Sequence, residues 1–180
     1  MPDLTESITV RSTTNALYRL VSNLPRMPEW SPECTQLHWT HAPLTPAPQT
    51  PAPHSPTASG RLASGDAGAV GGPVVGARFV GYNRAGFIRW FTFGRVVTAD
   101  PGRRFTFDIT FGPIPISRWD YSFTSTADGC TVTESWTDHR PRILKTLFRP
   151  VFGNRTPRNA EGIHTTLTRL KSAAEAAAPA

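Results

Sequence analysis

Three polar side chains stand out because the residues two positions away from them are apolar or small. Glu134 lies between Val132 and Trp136, Tyr121 between Trp119 and Phe123, and Asn83 follows Phe79 and Gly81 at the same spacing. Residues two apart share one face of a strand, so each polar group is placed on an inward, mostly apolar face. A buried polar group needs a partner. Glu134 can find one in a nearby arginine, which would make it structural. It can instead face a ligand or pocket water, as an acid or base whose pKa burial has raised. Glu134 and Tyr121 are therefore the catalytic candidates, and Asn83 joins them as a group that could orient a ligand. Whether catalysis occurs is left open.

Other chemistries find little support. His38-Trp39-Thr40-His41 has the look of a metal pair, but residues three apart on a strand point to opposite faces. The remaining histidines, His54, His139 and His164, are scattered, so no metal and no cofactor is expected. Gly71-Gly72-Pro73 lacks the glycine spacing and the lysine of a phosphate-binding loop, and no G-x-S-x-G nucleophile turn occurs. Cys34 and Cys130 are the only cysteines. Without an N-terminal apolar signal region they are expected to be reduced, buried fillers in a cytoplasmic protein.

The positions of these groups depend on strands. Leu4 to Arg11 alternates apolar and polar, apart from Glu6 on the apolar face, and predicts a first strand. Ser12 and Thr13 can cap a helix carrying Leu17, Leu20, Val21 and Leu24, which Pro25 and Pro28 stop. A short strand follows around Thr35 to Thr40. Five more strands are expected at Gly76–Arg84, Arg89–Ala99, Arg104–Phe111, Ser117–Thr126 and Cys130–Asp138, separated by turn signals such as Asp100-Pro101-Gly102 and Asp128-Gly129. Period-two spacing then puts Phe79, Trp90, Thr92, Val96, Phe105, Phe107, Ile109, Trp119 and Trp136 on the inward faces. A closing helix carries Ile163, Thr166, Leu167 and Leu170 on one stripe. The expected fold class is α+β: a curved antiparallel sheet of six to seven strands wrapped around a long C-terminal helix, with short helices after the first strand.

All 180 residues are expected to form one domain, with 42–73 as a disordered insertion. That stretch holds seven of the 18 prolines, no aromatic residue, and only Arg61 and Asp66 as charges. The net charge of +6 is concentrated elsewhere. Between His139 and Lys171, eight Lys and Arg face Glu161 alone. Within this segment Ile143, Leu144, Leu147, Phe148 and Val151 fit a short amphipathic helix beside Arg142, Lys145 and Arg149, which Pro150 should end or kink. Residues 142–152 could be a solvated face, a cap over a pocket mouth, or a weak contact with an anionic membrane surface. Nucleic acid is not expected, because no stacking aromatics accompany the charge.

The chain resembles the SRPBCC superfamily (START/Bet v 1-like helix-grip fold) in its polyketide cyclase/dehydrase-like branch. The resemblance rests on the first strand running into the Ser12–Leu24 helix, Met27-Pro28-Glu29-Trp30-Ser31-Pro32 and Gly76-Ala77-Arg78-Phe79-Val80-Gly81. It rests also on the Asp100-Pro101-Gly102 turn, Trp119-Asp120-Tyr121, Asp128 to Glu134 and the final helix ending in Leu167 to Glu175. It implies an internal cavity between sheet and C-terminal helix that binds a hydrophobic or amphipathic small molecule, such as a lipid, isoprenoid or polyketide-like compound. The alternative it leaves is a cyclase or dehydratase using the same cavity. No residue inherits a catalytic role from the resemblance. The expected ligand-binding residues are Phe79, Asn83, Trp90, Phe107, Trp119, Tyr121, Glu134, Trp136, Ile163 and Leu167.

Overall fold

The computed structural model describes residues 1–41, 73–152 and 154–177; the side chains of residues 41, 148, 149, 151 and 152 are outside that description. The expected disordered insertion at 42–73 therefore lies outside the described residues, except for Pro73, which is buried in an isolated β-bridge. The elements run β1 (Leu4–Val10), α1 (Thr14–Ser22), a 3₁₀ helix (Leu24–Glu29), β2 (Cys34–His41), β3 (Arg78–Ala85), β4 (Ile88–Asp100), β5 (Arg104–Phe111), β6 (Ile114–Thr126), β7 (Gly129–Asp138), α2 (Arg142–Phe152) and α3 (Arg155–Ala176).

The seven strands form one antiparallel sheet in the order β1-β7-β6-β5-β4-β3-β2. After the crossover from β1 to β2 every connection is a step to the neighbouring strand, as a meander requires. The alternation read in β1 has a clear outcome. Thr5, Ser7 and Thr9 face outward and hydrogen-bond Ser135, Thr133 and Thr131 at 3.1, 2.8 and 3.3 Å. Leu4, Glu6, Ile8 and Val10 pair with Trp136, Glu134, Val132 and Cys130 on the inner face.

Four register shifts bend the sheet, in β2 (Cys34/Gln36 and Trp39/His41), in β4 (Val96/Thr98) and at Ile109/Thr110. A bulge adds a residue to one strand and increases its local bend. The last shift corrects the expected start of β6, which begins at Ile114 rather than Ser117. Pro115 has no N–H to give a ladder, and it is accommodated where Ile116 is the extra residue between the Thr110–Pro115 and Ile109–Ser117 pairs.

Two helices pack on the concave side. Thr13 caps α1, its hydroxyl accepting from the Ala16 N–H at 3.1 Å, and Leu17, Tyr18 and Val21 are buried beneath it. Tyr18 stands edge-on to Phe105 and Phe123 at about 6 Å. Helix α3 is 22 residues long and starts well before the stripe that predicted it, because Asn154 caps it by accepting from the Thr156 N–H. It lies chiefly on β1, with smaller contacts on β7 and α1. Helix α2 continues two residues beyond Pro150, which was expected to end or kink it. Among the described residues no helix is long and apolar enough to cross a membrane.

Gly94 in β4 is fixed by packing. A Cβ built there would stand 2.0 Å from the ring of Phe79, its cross-strand partner, and Phe79 is 2% exposed. The ring lies across the bare backbone. Gly94→Ala must therefore displace a buried aromatic, and a loss of about 1–3 kcal/mol is expected in urea unfolding. An unchanged unfolding midpoint would show that the Phe79 ring has free room.

Candidate functional site

A cavity of about 470 Å³ opens between the concave face of β2 to β7, Leu144 of α2 and the first two turns of α3. It exists because α3 covers only one side of the sheet. Phe79, Phe107, Trp119, Trp136 and Trp90 give apolar walls, and the rings form an almost continuous lining. Phe79 meets Phe107 edge-on at 5.5 Å, Phe107 stacks on Tyr121 at 6.4 Å, and Trp119 meets Trp136 at 6.4 Å. Phe91 and Phe111 stand at the exposed rim, while Tyr121 and Glu134 lie on the buried floor.

Adjacent strands put those last two groups together. Tyr121 of β6 is the register partner of Glu134 of β7, and its hydroxyl donates to Glu134 Oε1 at 2.6 Å. Both residues are 2% exposed. Glu134 Oε2 is also buried and has no hydrogen-bond partner among the described residues. The arginine considered as a structural partner for Glu134 is absent from its hydrogen bonds, and the phenol takes that place. Burial pushes the Glu134 carboxyl up to about 8 against the opposing pull of the Tyr121 hydrogen bond, and the nearby Glu6 charge adds to the rise. Burial, and then the proximity of Glu134, hold the Tyr121 phenol well above its usual range. Near neutral pH the phenol donates to Oε1, and the proton that Glu134 retains gives this lining residue an O–H to donate. A neutral carboxylic acid with one free O–H suits an acceptor such as a carbonyl, ether or hydroxyl oxygen.

Asn83 stands farther out and donates weakly to Gly81 O and Thr92 Oγ1, each at 3.4 Å. Cys34 is also on the wall, its thiol pushed up to about 11 by burial, so it remains a protonated, unreactive thiol. His38 packs on Tyr82 on the outer face of the sheet, and the His41 side chain lies outside the description.

The structure places Phe79, Asn83, Trp90, Phe107, Trp119, Tyr121, Glu134 and Trp136 together on the cavity wall. Ile163 and Leu167 are elsewhere: each is 1% exposed and belongs to the packed core. The part of α3 that reaches the cavity is Arg155, Arg158, Asn159 and Gly162. Sequence reasoning missed these four, although they recur at i, i+3, i+4 and i+7. The signal was there once Asn154 is read as a helix cap. The polar heads of Arg155, Arg158 and Asn159 organise the mouth. Arg155 donates to both Glu33 oxygens and to Asn159 Oδ1, lies 5.5 Å over the Trp90 ring, and shares Glu33 with Arg158. Across the mouth, Asp138 is shared by Arg140 and Lys145.

No family model matches the sequence, and no curated protein matches it. Solved structures do. The di-domain ARO/CYC StfQ from the steffimycin biosynthetic pathway is 14% identical with a TM-score of 0.63, over 96% of this chain and 50% of that one. The di-domain ARO/CYC BexL from the BE-7585A biosynthetic pathway is 16% identical with a TM-score of 0.62, over 98% and 50%. TTHA0849 from Thermus thermophilus is 14% identical with a TM-score of 0.62, over 98% and 99%. This chain thus spans half the length of each di-domain protein and nearly all of the third. The architecture shared with these structures is the helix-grip fold, a curved antiparallel sheet with a long C-terminal helix.

The buried carboxyl makes a measurable demand on stability. Folded Glu134 keeps its proton up to about pH 8, whereas an unfolded glutamate releases it near 4.5. Between those values the unfolded chain binds fewer protons, so the stability that Glu134 contributes falls as pH rises. Glu134→Gln cannot ionise. It should match the parent protein below about pH 4.5 and exceed it above about pH 8 by on the order of a few kcal/mol. Parallel curves of unfolding free energy against pH would mean that Glu134 ionises as freely folded as unfolded.

Proposed function

We propose that this protein sequesters an apolar or amphipathic small molecule bearing one hydrogen-bond acceptor, held by aromatic walls and anchored on Glu134. The observation that carries the proposal is an aromatic-walled cavity whose lining includes the buried Glu134, one carboxyl oxygen of which is unpaired among the described residues. An unsatisfied buried polar atom costs about 1–3 kcal/mol, and a ligand oxygen would remove that cost. The volume, about 470 Å³, is within the range of small-molecule sites. Lipids, isoprenoids and polyketide-like compounds share the required chemistry: a large apolar body and few oxygens. The helix-grip fold is shared with ARO/CYC proteins of two biosynthetic pathways, which is compatible with such a ligand.

A second reading has its own support. Glu134, with a pKa near 8 and a phenol on one oxygen, can both hold and release a proton near neutral pH. A cyclase- or dehydratase-type reaction on a bound polyketide-like substrate would use Glu134 as acid or base and Tyr121 as its hydrogen-bonded positioning partner.

Native mass spectrometry of the purified protein, followed by solvent extraction, tests the first reading. An apolar molecule should accompany the protein and be lost from Gly81→Leu. Gly81 lines the cavity, and a Cβ there meets Thr92 Oγ1 at an ordinary 3.5 Å, so the leucine should fill the cavity without unfolding the sheet. An empty protein that takes up nothing from a lipid and polyketide panel would sink the proposal.

Glu134→Gln and Tyr121→Phe separate the two readings. A carrier should lose at most about tenfold in affinity, since one hydrogen bond is at stake. An enzyme should keep its affinity and lose turnover by about 10²–10⁴-fold.

A further inference from the structure

The antiparallel order of the strands gathers four segments at one end of the sheet. They are the β3–β4 turn, the β5–β6 turn, the start of β2, and the chain leaving β7 into α2. This is the end where the cavity opens, since Asn83, Phe111, Ile114, Cys34, Arg140 and Leu144 all line it. Apolar side chains protrude here from three separate elements. Phe87, at the tip of the β3–β4 turn, is 105% exposed, Phe111 beside the β5–β6 turn 51%, and Ile143 and Leu147 on α2 are 76% and 65%. Leu144 turns into the cavity, so Ile143 and Leu147, one helical turn apart, form the outer edge of α2. At the other end of the sheet the turns are Asp100-Pro101-Gly102 and Ala127-Asp128-Gly129, tipped with carboxylates.

Charge at the mouth has one sign in excess. Arg84 and Arg89 flank the Phe87 turn as cross-strand partners, and Arg140, Arg142, Lys145, Arg155 and Arg158 stand on the opposite side. The carboxylates among them are Asp3, Glu33 and Asp138. Glu33 and Asp138 are each shared between two cations, so the pairs they form still leave positive charge. Like charges placed directly across a ladder are unfavourable unless an anion lies nearby. Phe87, Ile143 and Leu147 protrude at separate points around the opening, Phe111 joins Phe91 and Phe93 in an exposed aromatic patch beside it, and basic groups are set around them. Such an arrangement suits a surface that is soft, anionic at its face and apolar beneath it.

We propose that the mouth of the cavity docks on anionic lipid membranes, with Phe87, Phe111, Ile143 and Leu147 entering the headgroup boundary and the surrounding arginines and Lys145 meeting lipid phosphates. The proposal rests on the carrier reading only for its purpose, the transfer of an apolar ligand between bilayer and cavity. The docking itself needs no ligand.

Co-sedimentation of the full chain with sucrose-loaded vesicles tests it. The protein should pellet with mixed phosphatidylcholine–phosphatidylglycerol vesicles, weakly with phosphatidylcholine alone, and less as salt is raised. The triple variant Phe87→Ser, Ile143→Ser, Leu147→Ser should lose about tenfold or more of that affinity while unfolding at the parental temperature. Should the triple variant fold poorly, Phe87→Ser alone, at a fully exposed tip, should still lose part of the affinity. Gly81→Leu, with its cavity filled, should pellet as the parent does, so a failed carrier reading and a failed docking surface give different results. No pelleting with the anionic vesicles would overturn the proposal. Pelleting that survives the triple variant undiminished would overturn it too, as would a concentration-dependent dimer abolished by the same substitutions without any vesicle binding.

Discussion

A single helix cannot cover a seven-stranded sheet. Strands about 4.8 Å apart make the sheet roughly 29 Å across, while a helix with its side chains is about 10–12 Å wide. Helix α3 is placed over β1, with smaller contacts on β7, and α1 fills in against β5, β6 and β7. The inner faces of β3, β4 and the near half of β5 are left to close by curvature, which the bulges in β2, β4 and β6 supply. Among the described residues, the elements facing these strands are the Met27–Glu33 segment, Leu144 and the first two turns of α3, and their side chains leave the space unfilled. The cavity is therefore a consequence of the ratio of sheet to helix.

That geometry explains why the most polar group on the inner face is also the most costly. Glu134 lies on β7 near α3, buried from water, and its hydrogen bond among the described residues is to Tyr121 rather than to an arginine. Its single protein hydrogen bond comes from a group that is itself a weak acid. Folding stability would be as well served by glutamine or an apolar residue of similar volume, since neither carries the desolvation cost that raises this carboxyl to about 8. A buried carboxylic acid with one oxygen unpaired among the described residues, on a residue that lines the cavity, is the group the proposed ligand would satisfy. The stability cost and the capacity to bind are then two aspects of one desolvated group.

Much of this arrangement was legible in the sequence because β-structure has a period of two. Asn83, Tyr121 and Glu134 declared themselves as polar residues on apolar faces, and the strand faces carrying them were readable from their aromatic neighbours. What the spacing could not supply was the relation between strands. Register alone brings Tyr121 to Glu134, and nothing in either segment indicates that the partner is a phenol rather than an arginine. The helix side was read less well for a different reason. Ile163 and Leu167 fall on the apolar stripe of α3, and an apolar stripe points to the core, whereas the cavity takes the adjoining polar stripe of Arg155, Arg158, Asn159 and Gly162. Pro115 concealed the start of β6, since a proline within a strand argues against the strand unless a bulge is known to receive it.

The mouth differs in kind from the floor. Its described contacts include ion pairs in which Glu33 and Asp138 each serve two cations, together with the Arg155 contacts on Asn159 and the Trp90 ring. Helix α3 is held differently, by Ile163, Thr166, Leu167, Leu170 and Ala174, all buried. Among the described side chains α2 has Leu144 in the cavity, Lys145 on Asp138, and Ile143 and Leu147 in solvent. A cavity whose recognising groups lie in the core, with ion pairs bordering its mouth, can admit a molecule without disturbing the geometry of those groups.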